Sequence, residues 1–193
     1  MNPDPALALA FLNTSGPPGG GPDLWTAPED VRAWLADEGI AADPEALADL
    51  TLPDLRVLFD DALRLRHALT DLVGRWTARS APAPTMALME LNRRLAARPR
   101  RGLELAAGSG GFEIHQHVAR ASVSELLAPI AEAGALLLAE GVPARVRRCA
   151  AAGCTRWFLD TSKNQQRRWC SMAVCGNRAK VSAHHRRSRK GSR

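Results

Sequence analysis

The chain of 193 residues is 46% apolar and 24% charged, which excludes a disordered chain, and it has no run of about eighteen apolar residues, which argues against a membrane span. The first residues lack the basic region of a signal peptide, so we expect a cytoplasmic protein without a membrane partner. The net charge of +6 is the sum of −7 for residues 1–142 and +13 for residues 143–193. This division predicts an acidic body and a basic module that binds a polyanion.

The body begins with short helices joined by a turn-rich segment. Residues 1–25 begin with an Ala/Leu-rich segment of helical character, which includes the hydrophobic run 7–12. The Gly/Pro-rich run 15–22 lacks the spacing of a phosphate-binding loop and is expected to be a flexible connection. Thr26 and Glu29 form the pattern of a capping box for a second helix, which is expected to end at Gly39.

The strongest helical pattern runs from residue 53 to about residue 78. Apolar residues recur there at steps of three and four and form one continuous stripe, with Asp61, Arg64 and Arg66 placed mainly off it. After a proline-containing break, a further helix capped by Thr85 is predicted to turn Leu88, Leu91 and Leu95 inward.

A second cluster of basic residues lies on that further helix and includes Arg93 and Arg94. We interpret it as a solvated helix face near the C-terminal end, where positive charge is favourable. A second DNA contact is the alternative that remains open.

Strand-like alternation follows in residues 103–105 and 112–118, and the glycines between them predict a β-hairpin. Ser122 and Glu125 offer another capping box, and Pro129 should kink or restart the last helix of the body. The expected fold class is therefore mostly α with one β-hairpin, a helical N-terminal domain plus a small C-terminal module.

All four cysteines lie within 27 residues, as two C-x4-C pairs separated by fifteen residues. Two close pairs of thiolates across a loop are what a tetrahedral zinc site needs. Four sulfurs complete the metal shell, so we expect one structural zinc ion and interpret His184 and His185 as solvent-facing. Unrelated thiols or two disulfides are the weaker alternatives, because the pairs match and a cytosolic chain keeps thiols reduced. The predicted ligands are Cys149, Cys154, Cys170 and Cys175.

Enzymatic activity is not expected. A catalytic zinc keeps an open coordination position, whereas four thiolates close the shell, and Asp160 is the only carboxylate after residue 142. The body shows no nucleophile elbow and no nucleotide-binding fingerprint. Trp157 and Phe158 are expected to pack over the zinc-binding turns.

The segment FLDTSKNQQRRWCSMAVCGNRAK, residues 158–180, resembles the CGNR zinc-finger family of bacterial proteins, named for the tetrapeptide at 175–178. In that family the finger follows an Ala-rich helical domain whose first hydrophobic run ends in Asn-Thr, as residues 7–14 do here. The resemblance implies a stress-induced transcription regulator that binds DNA through the finger.

The basic residues of the finger are the predicted contacts to nucleic acid. Its last helix is expected to begin just after Cys175. Asn177 and Arg178 suit adenine and guanine edges. Equally, Asn177 could cap that helix and Arg178 could bond the carbonyls of the cysteine turn. The predicted contact residues are Lys163, Arg167, Arg168, Asn177, Arg178, Lys180, Arg186 and Arg187.

These observations predict three parts: an Ala-rich helical regulatory or dimerisation domain (1–142), a CGNR-type zinc finger (143–187) and a basic tail (188–193). The expected function is zinc-dependent DNA binding in transcription regulation. RNA binding and a zinc-stabilised protein-interaction adaptor are the alternatives. The body would receive a small-molecule or protein ligand, or form a homodimer.

Overall fold

The computed structural model describes residues 4–40, 47–80, 85–97, 101–108, 111–118 and 122–182, with the backbone alone in the two strands between 101 and 118. Arg186 and Arg187, His184 and His185, and the tail 188–193 lie outside these ranges. The helices are α1 (Pro5–Leu12), α2 (Pro28–Asp37), α3 (Leu52–Thr77), α4 (Thr85–Ala96) and α5 (Ala128–Glu140). The strands are β1 (Arg101–Gly108), β2 (Gly111–Val118), β3 (Val146–Arg148) and β4 (Trp157–Leu159).

The predicted fold class is confirmed: the body is helical, and β1 and β2 form an antiparallel hairpin from Arg101↔Val118 to Gly108↔Gly111. The long helix α3 is the centre of the body, because α2, α4 and α5 all pack against it. None of the helices in the described ranges is both long and apolar enough to cross a bilayer.

The apolar stripe of α3 is buried as predicted, with Leu58, Leu65 and Leu69 fully inaccessible. Helix α5 approaches this stripe closely at Gly134, where an added Cβ would lie 2.5 Å from a terminal methyl of Leu69. A side chain at position 134 would clash with Leu69, so glycine permits this close approach of the two helices. Helices α3 and α5 therefore pack closely within the core of the body.

The start of α2 differs from the prediction. Pro28 occupies the first helical position, so Ala27 is the N-cap, and the carboxylate of Asp30 closes the turn instead of Glu29. Asp30 accepts hydrogen bonds from the backbone N–H groups of Thr26 (2.7 Å) and Ala27 (2.8 Å), which lower the pKa of its carboxyl group. The predicted capping box of Thr26 and Glu29 was therefore wrong by one residue. Pro28 has no N–H that needs a cap and so favours the first helical position, which makes Ala27 the N-cap.

The last helix of the body begins in two steps. Glu125 accepts the backbone N–H of Ser122 at 3.0 Å, as the capping pattern predicted, but this box opens a 3₁₀ turn, Val123–Leu127. The α-helix α5 then starts at Ala128 with Pro129 in its first turn. Proline thus marks a restart of the helix, one of the two predicted outcomes, because its missing N–H has no partner in a first turn anyway.

Two charged residues predicted to lie off the α3 stripe are in fact buried, namely Asp61 and Arg66. Arg66 donates to the hydroxyl of Thr14 and to the carboxylate of Asp23, each at 2.9 Å through Nη1, and its guanidinium lies 4.9 Å from the centre of the Trp25 ring. These contacts tie the segment after α1 to the middle of α3. Hydrogen bonds to Thr14 and Asp23 take the place of the water that would solvate an exposed Arg66, and hydrophobic periodicity alone does not reveal such partners.

Arg94 departs from both interpretations of the second basic cluster, whereas the side chain of Arg93 is 51% exposed. The Arg94 side chain is 0% exposed, so it is neither part of a solvated face nor a contact for DNA. It donates to Asp61 on α3 at 2.5 Å and to Glu90 on α4 at 2.9 Å. The inward face of α4 is therefore formed by Ala87, Leu91 and Arg94, whereas Leu88 is 40% exposed.

Candidate zinc centre and basic surface

The two cysteine pairs are brought together by two tight turns. Cys149 directly follows β3. The turn from Cys149 to Cys154 is closed by a hydrogen bond from the backbone N–H of Cys154 to the carbonyl of Ala151 (3.1 Å), and Gly153 in this turn has φ +75°. Cys175 lies in a π-helical turn, Met172–Gly176, whose N-cap Ser171 accepts the N–H of Val174 at 3.3 Å. The last helix therefore begins before Cys175, not after it, and continues as an α-helix over 177–182.

The four thiol sulfurs all lie within 4.8 Å of one another. The Sγ atom of Cys170 is 3.8 Å from that of Cys154 and 3.6 Å from that of Cys175, and the last two are 3.8 Å apart. Four sulfurs at the zinc–thiolate bond length of about 2.3 Å form a tetrahedron with edges of roughly 3.8 Å. The observed cluster thus has the size that one tetrahedral zinc ion requires.

The charge of four closely spaced thiolates would also require a bound cation. Burial and the neighbouring thiols raise the pKa of Cys170. Burial opposes ionisation of Cys154 as well, but backbone N–H groups of Arg156 and Gly19, with the nearby thiols, lower its pKa to about 7. Four thiolates this close repel one another unless a dication lies among them. The donor set and its geometry therefore fit one structural zinc ion.

The aromatic residues beside the cysteines divide between two cores. Phe158 and Trp169 pack against the cysteine cluster, as expected for the cover of a small metal site. Trp157 instead belongs to the apolar core of the body, together with Val146 of β3. The prediction that Trp157 covers the zinc turns was wrong, because successive residues of β4 point to opposite sides of the hairpin.

A buried carboxylate shapes the loop between the cysteine pairs. Asp160 has no exposed surface and accepts the backbone N–H groups of Ser162 (3.0 Å) and Arg167 (2.9 Å). Hydrogen bonds from the Ser162 hydroxyl and from these backbone groups outweigh burial and lower the pKa of this carboxyl group. These bonds form a turn at Asp160 and Ser162 that returns the chain toward Cys170.

The zinc module is held to the body by the side chain of Asn13, directly after α1. Its Nδ2 donates to the carbonyl of Trp157 at 2.9 Å, and its Oδ1 accepts the Trp157 N–H at 2.8 Å. Asn13 thereby pairs with the free edge of β4 as a neighbouring strand would. This role of Asn13 was not predicted from the sequence, although the Asn-Thr pattern at residues 13–14 was the available signal.

Replacing Asn13 with alanine is expected to destabilise the zinc-loaded protein by about 2–4 kcal/mol, because two buried backbone groups of Trp157 lose their partners. Thermal unfolding would measure this loss, with Asn92→Ala, at an exposed position of α4, as the matched control. Equal melting temperatures for the two variants would show that Asn13 does not hold the module.

The Gly/Pro-rich run is a second point of attachment, not a flexible connection. Gly20 has φ +88°, and a Cβ added there would lie 2.1 Å from the carbonyl oxygen of Gly153, in the first cysteine turn. The guanidinium of Arg178 donates to the carbonyls of Gly19 and, at 3.0 Å, of Ala152. Glycine is required at position 20 because only a residue without a side chain permits this approach.

The predicted nucleic-acid contacts that fall in the described ranges are all exposed. Arg167 donates to the carbonyls of Trp169 (3.0 Å) and Cys170, and Arg168 lies 5.3 Å from the centre of the Trp169 ring. The bonds of Arg178 to carbonyls match the structural role that sequence analysis left open for it. The exposed set comprises Lys163, Arg167, Arg168, Asn177, Arg178 and Lys180.

Comparison with known families agrees with this arrangement. The model described as CGNR zinc finger matches residues 145–188, which include all four cysteines. The ABATE model, described as "putative stress-induced transcription regulator", matches residues 5–141, well over half of the chain. The chain belongs to the ABATE family. A search among curated proteins found no significant match.

In this ABATE protein, the resemblance seen in the sequence is confirmed over both parts of the chain. The family match ends at residue 141, just before the 3₁₀ turn Pro143–Arg145, and the zinc-finger match begins at the last residue of that turn. The structure adds that the ABATE part and the finger share apolar core residues and hydrogen bonds. The zinc finger is therefore packed onto its partner domain within the same chain.

Proposed function

We propose that this protein is a bacterial, cytoplasmic transcription regulator whose zinc module binds duplex DNA. The observation that carries the proposal is the charge of the module: fourteen Lys or Arg residues against one Asp after residue 142. That one carboxylate is buried and lies 3.5 Å from Arg147, so it offsets one of these charges and leaves the module strongly positive. A folded surface with one sign of charge attracts the phosphate backbone over several ångströms.

In this proposal the four cysteines are the zinc ligands, and zinc has a structural role. The shell is complete with four thiolates and leaves no position for water or substrate, so the module is not an enzyme. Residues 1–142 form the regulatory domain, 143–187 the finger and 188–193 a basic tail. The regulatory domain receives a signal, from a small molecule or a protein, or joins two copies of the chain.

The proposed DNA surface has residues of two kinds. Lys163 and Lys180 are exposed, and we assign them to phosphates. Arg167 and Arg178 are bonded to carbonyls of the module and are assigned to holding its shape, with their exposed edges toward the DNA. Arg168, Arg186 and Arg187 complete the proposed contacts, and Asn177 is the candidate for reading a base edge.

Competition binding separates this proposal from its alternatives. Zinc-loaded protein bound to a labelled duplex should be displaced by unlabelled duplex DNA at lower concentration than by folded RNA of equal length. The affinity should fall steeply with salt, because lysine and arginine release counterions from phosphates. Tighter binding of RNA would favour the RNA-binding alternative, and weak, salt-independent binding of both would favour the protein-interaction adaptor.

A further inference from the structure

A groove of about 400 Å³ lies where the zinc module meets the C-terminal end of α3. Its walls include four arginines, two from β3 and two from the loop that precedes Cys170, with Thr77 of α3 and Trp157 beside them. Of the four, Arg147 and Arg148 were not among the predicted nucleic-acid contacts. Four arginines therefore line one groove beside the zinc module.

Two of these arginines are fixed by the module itself. Arg147 Nη1 donates to the carbonyls of Gln165 (3.0 Å) and Arg167 (3.1 Å), and Arg167 in turn donates to the carbonyl of Trp169. Bonds to carbonyls leave the positive charge of a guanidinium in place and remove the entropy that a flexible side chain would lose on binding. These two residues are therefore preorganised walls of the groove.

The other two arginines carry the charge that is free to bind. Arg148 lies 5.8 Å from the centre of the Trp157 ring, and Arg168 lies 5.3 Å from that of Trp169. Among the described residues, the one carboxylate within salt-bridge distance of any of the four is that of Asp160, 3.5 Å from Arg147. The groove therefore keeps a net positive charge that no described group of the protein neutralises.

The lining also indicates which part of a nucleic acid fits. Trp157 is only 7% exposed, so the groove presents almost no aromatic face on which a base could stack. Guanidinium groups instead match the paired oxygens of a phosphate. We infer that this four-arginine groove seats phosphates of the DNA backbone, an inference that rests on the proposed function and adds Arg147 and Arg148 to the binding surface.

Phosphate contacts in this groove contribute affinity but no sequence specificity, because the phosphate backbone is common to all DNA sequences. The test is the double variant Arg148→Gln, Arg168→Gln, which keeps the aliphatic stems and removes two charges. Arg56→Gln is the matched control, an exposed arginine of α3 in the body. The equilibrium dissociation constant is measured by fluorescence anisotropy for two unrelated duplexes over a series of salt concentrations.

The double variant is expected to lower the slope of log affinity against log salt by about 1.8, since each phosphate contact contributes roughly 0.9. Affinity for both duplexes should fall by the same factor, on the order of tenfold at physiological salt. Arg148→Lys with Arg168→Lys should retain most of the slope. Zinc content and melting temperature, measured on the same samples, should equal those of the unaltered protein.

Three results would overturn the inference. A wild-type slope in the double variant would show that the groove does not meet phosphates, while the proposed function would stand. If the unaltered protein did not bind duplex DNA, both the phosphate-binding groove and the proposed function would be rejected. Saturable binding of ATP that the double variant loses, with an unchanged DNA slope, would assign the groove to a small phosphorylated compound instead.

Discussion

Removal of zinc by a strong chelator is expected to unfold the C-terminal module and also to lower the stability of the helical body. Small zinc-bound modules fold only with their metal, and four unliganded thiols hold no turn in place. Val146 and Trp157 of the module lie in the core of the body, so unfolding of the module exposes both to water. Burial of side chains of this size contributes about 1.5–3 kcal/mol each, which predicts a fall in melting temperature on the order of 10 °C for the body.

Hydrogen exchange measured by mass spectrometry distinguishes this outcome from local fraying. Peptides from α1 should lose protection together with those of the module, because Asn13 and Trp157 are hydrogen-bonded to each other. Cys175→Ser should reproduce the effect of the chelator, and Thr161→Ala, at an exposed position of the loop between the two cysteine pairs, should not. Full protection of α1 in zinc-free protein would contradict the coupling of the two parts.

Replacement of Asp61 with alanine is expected to destabilise the body by about 3–5 kcal/mol, measured by urea unfolding. The variant leaves the guanidinium of Arg94, which is 0% exposed, with Glu90 as its remaining ion-pair partner in the described ranges. Asp60→Ala, at the neighbouring exposed position, should change the free energy of unfolding by no more than about 0.5 kcal/mol.

The double variant Asp61→Leu, Arg94→Met provides the complementary result. Replacing both members of a buried ion pair with apolar residues of similar size is often neutral or stabilising, so much of the lost stability should return. A double variant as unstable as Asp61→Ala would show that the cost arises from packing and not from the uncompensated charge.

The same pair predicts a dependence on pH. Burial opposes ionisation of Asp61, but hydrogen bonds from Arg94 and Arg64 outweigh it and hold the pKa of this carboxyl group well below its usual value. A lowered pKa in the folded state means that the stabilisation is complete above the unfolded pKa of about 3.9 and is lost as the pH falls below it. The difference in unfolding free energy between wild type and Asp61→Ala should therefore be constant from pH 7 to about pH 5 and narrow toward pH 3.

Features encoded by nearby residues could be predicted from the sequence. The spacing of the cysteine pairs indicated the zinc cluster, and the stripe of α3 indicated the central helix, because both depend on positions a few residues apart. The burial of Arg94 could not be read in this way. Its partner Asp61 lies 33 residues earlier, and an arginine looks the same in a sequence whether water or a carboxylate surrounds it.

The attachment of the zinc module to the body also could not be predicted from local sequence patterns. Asn13 and Trp157 are separated by 144 positions, and each alone has an ordinary local interpretation, as a helix end and as a core aromatic. The glycine run predicted a loop correctly but not its close approach to Gly153. Such contacts follow from how two folded parts meet, which helical or strand periodicity does not encode.

Selection of DNA from a random duplex library by zinc-loaded protein at physiological salt shows whether the zinc module binds a specific DNA sequence. We expect enrichment of a defined motif that is lost when zinc is removed. The enrichment should be weaker in Arg178→Ala, because Arg178 donates hydrogen bonds to the first cysteine turn and to the glycine-rich loop of the body. Salt-sensitive recovery of DNA without any enriched motif, from protein shown to contain zinc, would contradict a sequence-specific regulator.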